Sequence, residues 1–186
     1  SPTKTLLEKS TPIMREITTL IGQSVHLSIY TAGKLLVIAQ IDSGSSFNYH
    51  VSIGSTFDLL ETSSGRVILT FQTDEERTRR LKRRKVFLGF EKNLNLPKKQ
   101  LLILEKNYSK KTIHKIKKDK CEIVKSTQIV GITNISYPIF DNSGYAIAAL
   151  TSPYLNRLYE KNINLKNATS IMSKYAAKLS SELGFN

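Results

Sequence analysis

The sequence contains few of the residues that build metal centres and redox sites. Its 186 residues include one cysteine, Cys121, and three histidines, His26, His50 and His114, which lie far apart in the chain. One cysteine cannot form an internal disulfide, and the four positions match no zinc-ligand spacing. The sequence also lacks a phosphate-binding glycine loop, a dinucleotide fingerprint and a nucleophile elbow. We therefore predict no metal, no cofactor and no enzymatic activity.

Long apolar runs are missing as well. No run approaches the roughly 20 residues that cross a bilayer. The first ten residues, SPTKTLLEKS, lack the apolar centre of a signal peptide. A single cysteine also fits a reducing compartment. We therefore expect a cytoplasmic protein that has no membrane partner.

Acidic residues are scarce in the middle of the chain. The formal net charge is +13, and residues 77–120 alone contain 17 Lys and Arg against three acids. One interpretation is that this segment contacts nucleic acid, because phosphates attract clustered basic side chains. The residues assigned to this contact are the lysines that follow Pro97 together with Arg77, Arg79, Arg80, Lys82, Arg83, Arg84 and Lys85. The other interpretation is a solvated helical face, since Leu81 is almost the only apolar residue between positions 74 and 85.

The apolar residues that are present predict an α+β domain. They make up 40% of the sequence, which is enough for one sizeable core. Period-two alternation predicts strands, and helical spacing predicts helices. In chain order we expect a helix that ends at Gly22, strands over 24–30, 34–42 and 47–53, a helix from Asp58, a basic helix over 74–85, a strand over 121–124, a hairpin over 131–152 and a helix over 168–183. This order indicates a single domain, with an antiparallel sheet flanked by helices.

Two runs of small residues suggest a site. The return strand of the hairpin, residues 145–152, leaves space above the sheet for a packed helix or a ligand. We expect a helix to follow this strand directly. Residues 62–65, TSSG, form poor helical sequence, and their amides and hydroxyls suit an anion. A tightly packed helix that needs small residues is the alternative. His26 alternates with apolar residues and is expected at the surface.

Four stretches together resemble the effector-binding domain of isocitrate-lyase-regulator (IclR) type transcriptional regulators. They are VHLSIYTAGKLLVIAQIDS, IGSTFDLLETSSGRVIL, VGITNISYPIFDNSGYAIAALTSP and AAKLSSELGF, and they recur in the family's order between residues 11 and 184. The resemblance implies a GAF-like fold that senses a small molecule and assembles into homodimers or tetramers. It also implies that residues 1–10 end an inter-domain linker helix. The family's DNA-binding winged helix-turn-helix is not contained in residues 1–186, and residues 74–120 match the family poorly.

The resemblance also implies where the effector binds. The family's pocket positions fall on Tyr49, Phe57, Ser63, Ser64, Ile132, Asn134, Leu150 and Ser152. An acidic ligand-binding position of some relatives falls on Val124, and an acidic pair falls on Ser126 and Thr127, so this chain departs from the family there.

The function that we expect is the ligand-sensing, oligomerising domain of an IclR-type DNA-binding regulator. We expect a repressor that responds to a small organic effector with an acid group, and that binds DNA through its N-terminal domain. The alternative is a basic module that contacts nucleic acid, or an assembly module without a ligand.

Overall fold

The computed structural model describes residues 1–45, 47–90, 97–158 and 163–186. Within these ranges the elements are α1 (Pro2–Ile21), β1 (Val25–Thr31), β2 (Lys34–Ile41), β3 (Thr56–Phe57), α2 (Ser63–Thr70), α3 (Asp74–Phe90), α4 (Lys98–Asn107), α5 (Lys110–Asp119), β4 (Glu122–Lys125), β5 (Ile132–Phe140), β6 (Ala146–Leu155) and α6 (Leu165–Glu182). The strands form one sheet in the order β3-β2-β1-β6-β5-β4, and every neighbouring pair is antiparallel. The predicted α+β class, an antiparallel sheet flanked by helices, is therefore confirmed.

The sheet carries helices on both faces. On one face, α1 and α6 cover a core that includes Leu27 of β1, Ile135 of β5 and Leu150 of β6. On the other face, α2 lies directly on β5 and β6, and α3, α4 and α5 pack outside it around Leu35, Leu69 and neighbouring residues. Because side chains alternate between the two faces of a strand, each strand contributes to both layers.

The predicted end of the first helix is confirmed. Gly22 takes a left-handed backbone with φ of 67°, and its N–H donates to Thr18 O at 3.0 Å. A left-handed residue satisfies the last carbonyls of a helix, and glycine adopts this conformation without steric cost. The chain then enters β1, which forms the predicted hairpin with β2.

The β1–β2 turn packs against α3. Ala32 and Gly33 both have positive φ, at 48° and 90°. A Cβ on Gly33 would lie 2.6 Å from the carbonyl oxygen of Arg83, so a larger residue would displace the helix. The register of the hairpin shifts by one residue between Leu27 and Ser28. Such a bulge interrupts the alternation of side chains along β2, so it changes which of them lie on each face of the sheet.

Three predictions about elements were wrong. Residues 47–53 do not form a strand, because the edge of β2 pairs further along the chain: Val37 N donates to Ser55 O at 3.0 Å. The second helix begins at Ser63 and not at Asp58, with Thr62 as its cap. No helix follows β6 directly, since residues 156–158 are not helical.

Among the described residues, no helix is long and apolar enough to span a membrane.

Candidate ligand-binding cavity

A cavity of about 90 Å³ lies between the sheet and the N-terminal end of α2. Strands β1 and β2 form its floor with His26, Ser28, Leu35 and Val37. Helix α2 and the turn before it form one wall, and residues 124–129, which comprise the end of β4 and the segment after it, form another. The floor therefore combines the apolar side chains of Leu35 and Val37 with the polar side chains of His26 and Ser28, and such a combination is typical of small-molecule sites.

A chain of four hydroxyls joins α2 to the sheet beside this cavity. Ser63 Oγ lies 2.7 Å from Ser136 Oγ, which lies 2.7 Å from Thr151 Oγ1, and Thr151 Oγ1 lies 2.6 Å from Ser64 Oγ. All four residues are buried. Four hydroxyls carry four protons, and three hydrogen bonds use three of them. One O–H therefore remains available to donate to another group.

Close packing at the start of helix α2 restricts which residues fit in its first turn. The Thr62 side chain accepts a hydrogen bond from Gly65 N at 3.1 Å, which is the usual N-cap arrangement. A Cβ on Gly65 would lie 2.0 Å from the carbonyl oxygen of Leu59, so only glycine fits there. The other first-turn amides of a helix have no intrahelical acceptor and favour negative charge. This helix start therefore offers hydrogen-bond donors at one end of the cavity.

A buried ion pair fixes the turn that leads into α2. Arg84 Nε donates to Asp58 Oδ1 at 2.6 Å, and Arg84 Nη2 donates to Oδ2 at 3.0 Å. The same Oδ2 accepts from Leu60 N at 3.2 Å. Glu105 of α4 adds a contact of 3.3 Å to Arg84 Nη1. Helix α3 thus holds the residues just before Glu61, which lines the cavity.

His26 and Ser28 present buried polar atoms that have no partner among the described residues. His26 Nδ1 and Ser28 Oγ are both inaccessible to solvent and make no hydrogen bond there. Burial lowers the pKa of His26 to about 4, so its ring is neutral at pH 7. The prediction that His26 lies at the surface was wrong, because α2 and the segment around residue 50 cover its face of the sheet.

Charged groups at the rim of the cavity are largely neutralised. Arg66 contacts Glu122 Oε1 through Nη2 at 2.7 Å and Nε at 2.8 Å. The pKa of Glu61 is raised, first by burial and then by the nearby charge of Asp58. Gln128 Nε2 also donates to a Glu61 carboxylate oxygen. Lys125 at the end of β4 also lines the cavity and forms no ion pair among the described residues, so an acid group could be held by its ammonium group as well as by hydroxyls and amides.

The structure brings together six of the eight effector positions that the resemblance implies. Those that line the cavity are Tyr49, Phe57, Ser63, Ser64, Ile132 and Asn134, and Val124, Ser126 and Thr127 line it too. Leu150 and Ser152 do not line it. In the β5–β6 register Asn134 pairs with Pro153, whereas Ser152 pairs with Ile135 on the face that packs against α1 and α6.

Thr151 is the residue of β6 that faces the cavity, one position away from both Leu150 and Ser152. Directly opposed residues share a face, so a shift of one residue exchanges the two faces of a strand. His26, Ser28 and Thr151 were missed by sequence reasoning. The alternation of His26 and Ser28 with apolar residues along β1 is the signal that identifies these two residues once both faces of the sheet are known to be covered, whereas β6 shows no such alternation around Thr151.

Several basic residues of α3 are used inside the fold. The Arg84 side chain is 1% exposed, so no phosphate can reach it. Arg77 bonds to Asp74 and to the carbonyl oxygen of Thr70. Arg80 lies 4.4 Å from the ring centroid of Tyr30. Of the residues assigned to nucleic acid in α3, the exposed ones are Arg79, Lys82, Arg83 and Lys85.

In the described part of the chain, no three His, Cys, Asp or Glu side chains lie close enough together to hold a metal ion.

Comparison with known proteins relates this fold to one family. Residues 3–181 match the family model described as "Bacterial transcriptional regulator IclR C-terminal". The chain is 21% identical over 173 residues to the HTH-type transcriptional regulator KdgR of Escherichia coli (strain K12), which covers 93% of this chain and 62% of that protein. The chain therefore spans about three fifths of this relative. These matches are transcriptional regulators and not enzymes.

Solved structures show the same fold at low identity. The C-terminal domain of the E. coli regulator KdgR aligns with a TM-score of 0.69 at 22% identity, over 97% of this chain and 99% of that chain. Thermotoga maritima IclR aligns at 0.69 with 21% identity, over 96% of this chain and 68% of that chain. Pseudomonas aeruginosa HmgR aligns at 0.75 with 16% identity, over 97% and 68%.

Proposed function

Because this chain belongs to the IclR C-terminal family of bacterial transcriptional regulators, we propose that it is the ligand-sensing and oligomerising domain of such a regulator. The effector in this proposal is a small organic acid. The regulator is a homodimer or tetramer that represses transcription and binds DNA through another domain. The observation that carries the proposal is the presence of buried polar atoms of His26 and Ser28 that face a cavity without a partner in the described chain.

The acid group of the effector would bind at the start of α2. Ser63 and Ser64 lie there, next to amides that have no intrahelical acceptor. The spare proton of the hydroxyl chain supplies a further donor. Hydrogen bonds from amides and hydroxyls stabilise a carboxylate without an ion pair, as at other helix N-termini. Arg66 is paired with Glu122 and does not serve this role.

The remainder of the effector would lie over β1 and β2. Neutral His26 offers an imidazole nitrogen and Ser28 a hydroxyl, so a hydroxyl or keto group of the effector could satisfy both. Leaving such groups buried without a partner costs about 1–3 kcal/mol each, which a ligand would recover. Leu35, Val37 and Phe57 supply apolar surface beside these groups. A small acid with one further oxygen substituent fits this arrangement best.

Ligand binding would act through the balance between two arrangements of the oligomer. A ligand shifts such a balance only if it binds one arrangement more tightly than the other. The cavity wall contains α2, which contacts α3 and α5, so a movement of α2 would reach the outer helices. In a repressor this shift would release DNA.

A thermal-shift screen of this chain against small carboxylic, keto, hydroxy and aromatic acids tests the proposal. A ligand at about one hundred times its Kd stabilises the fold by about 2.7 kcal/mol, which raises Tm by several degrees. The amide of each active acid is the matched control, because it keeps the shape and loses the charge. We expect a concentration-dependent shift with one class of acid and a smaller shift with its amide. Absence of a shift with every class would favour the assembly module without a ligand.

A further inference from the structure

The two faces of α5 differ sharply in chemistry. Ile116 is 2% exposed and Ile113 packs against the core under α2. Lys111 and Lys118 lie opposite this buried side, Lys110 and Lys117 lie on its flank, and all four lysines are exposed. Seven residues span nearly two helical turns, so Lys117 lies below Lys110 and Lys118 lies below Lys111. We call these four residues the lysine face.

The ammonium groups of the lysine face have no acidic partner in the described part of the protein. Among the described residues, no carboxylate forms an ion pair with any of its four ammonium groups, whereas nearby Lys115 contacts Asp119 at 2.7 Å. Lys117 and Lys118 lie in the last turn of α5, where the helix dipole favours positive charge, whereas Lys110 and Lys111 occupy the first turn, where it disfavours positive charge. The two first-turn lysines therefore slightly destabilise the helix that presents them, and an external anion would reverse this effect.

The surroundings of the lysine face favour a phosphate backbone over other anionic surfaces. The apolar side of α5 is buried within the protein, so this helix cannot insert into a lipid headgroup layer as amphipathic membrane helices do. The aromatic side chains next to it in sequence also offer no stacking platform: Tyr108 is 7% exposed and bonds to Thr70. Single-stranded nucleic acids need exposed aromatic rings for stacking, while duplex backbones need only clustered cations.

We propose that the lysine face of α5 contacts the phosphate backbone of double-stranded DNA, as a second and sequence-independent contact of the regulator. The choice of DNA rests on the proposed function as part of a transcriptional regulator. This assignment narrows the predicted nucleic-acid contact to four of the lysines that follow Pro97, because Arg77, Arg80 and Arg84 of α3 form contacts within the fold. The contact would raise affinity without adding sequence specificity.

Fluorescence anisotropy tests this proposal, with a labelled DNA duplex of mixed sequence and about 30 base pairs as the probe. The affinity is measured over a range of salt concentrations, because counterion release makes binding to the phosphate backbone salt-dependent. The test variant is K110Q/K111Q/K117Q/K118Q. The matched control is K9Q/K166Q/K174Q/K178Q, which removes the same charge from exposed lysines of α1 and α6 on the other side of the sheet. Glutamine has nearly the helix propensity of lysine, so both variants should fold.

We expect the native chain to bind with an affinity that falls steeply as salt increases. Each lost phosphate contact lowers the slope of log K against log salt by about 0.9, so the test variant should lose about two to four units of slope and at least about tenfold in affinity at low salt. The control variant should lose much less than the test variant.

Three results would overturn the proposal. These are equal losses in the two variants, no binding of the native chain at low salt, and tighter binding of a single-stranded RNA of the same length. The effector screen provides an independent readout on the same variants. The test variant should keep any effector-induced thermal shift, so a failed DNA contact and a failed effector site can be told apart.

Discussion

Arg84 and Asp58 form a two-point ion pair in the interior, with both side chains 1% exposed. The two residues are 26 positions apart, and the pair joins α3 to the turn that precedes α2. A buried pair of this kind is not in itself evidence of high stability, because removing both charges from water is costly. The ion pair instead fixes the position of the turn over residues 58–62, because both carboxylate oxygens of Asp58 are satisfied in only one arrangement of that turn.

Arg84→Met should strongly destabilise the fold. The substitution leaves Asp58 charged and buried without its partner, which costs about 3–5 kcal/mol in the free energy of unfolding. Urea denaturation measures this change. Arg83→Met, one residue away and exposed, is the matched control and should change stability by less than about 0.5 kcal/mol. Similar losses in both variants would show that the pair contributes nothing specific.

The two helical glycines Gly65 and Gly89 should respond in opposite ways to the same substitution. Gly65→Ala places a methyl group against the Leu59 carbonyl and should destabilise the fold by roughly 1–3 kcal/mol, because backbone must move. Gly89 lies in α3 with open space around it, and Gly89→Ala should stabilise by about 0.5–1 kcal/mol through helix propensity. Thermal denaturation of both variants provides the comparison. A stable Gly65→Ala variant would mean that the turn before α2 is free to shift.

The stability of the domain should decrease as pH falls from about 6.5 to 4. Over this range an unfolded histidine binds a proton that folded His26 excludes, because burial lowers the pKa of His26 from 6.5 to about 4. The stabilisation is therefore complete above pH 6.5 and lost below pH 4, and it amounts to roughly 3 kcal/mol.

Urea denaturation at several pH values, compared between the native chain and His26→Gln, isolates this contribution. The variant should show a shallower loss of stability with acid. His114→Gln removes an exposed histidine outside the cavity and is the control. If His26→Gln and the native chain lose stability in parallel, His26 does not resist protonation in the folded state.

Thr151→Val and Ser152→Ala should separate the two faces of β6. Thr151→Val keeps the shape of the side chain and breaks the hydroxyl chain, so an effector identified by the screen should bind about tenfold more weakly or worse. Ser152→Ala removes a hydrogen bond of 2.8 Å to Ser24 O and should reduce stability by about 1 kcal/mol without changing effector affinity. Isothermal titration of both variants measures the affinities. The opposite ranking would place the effector on the other side of the sheet.

Local patterns predicted the parts of the fold that local chemistry determines. Alternation of apolar and polar residues predicted β1 and β2, and Gly22 predicted the end of α1. The start of α2 was wrong because the spacing of Asp58 and Glu61 resembles a capping box. Asp58 instead binds Arg84, and no local pattern reports a contact with a residue so distant in sequence.

The candidate site shows the same limit at the level of strand register. Of the positions that the family resemblance implies, Ser63, Ser64 and Asn134 line the cavity, and they lie in motifs with distinct glycines and hydroxyls. Its two β6 positions, Leu150 and Ser152, lie on the other face of the sheet, because a run of small residues looks alike on both faces and a shift of one residue moves every side chain to the other side. His26 was misassigned because a polar residue in an alternating strand suggests solvent unless a helix is known to cover it.

The four hydroxyls that link α2 to β5 and β6 can form their hydrogen bonds in either direction along the chain, so a bound ligand can favour one direction over the other. Rotation of the O–H groups about their C–O bonds reverses the direction of all three hydrogen bonds, so the free O–H belongs either to Ser63 at one end of the chain or to Ser64 at the other, and no heavy atom has to move. Each end can therefore act as a donor to a carbonyl or an acceptor from an alcohol. A keto acid and the corresponding hydroxy acid would meet the same atomic framework, and discrimination between them would fall to neutral His26.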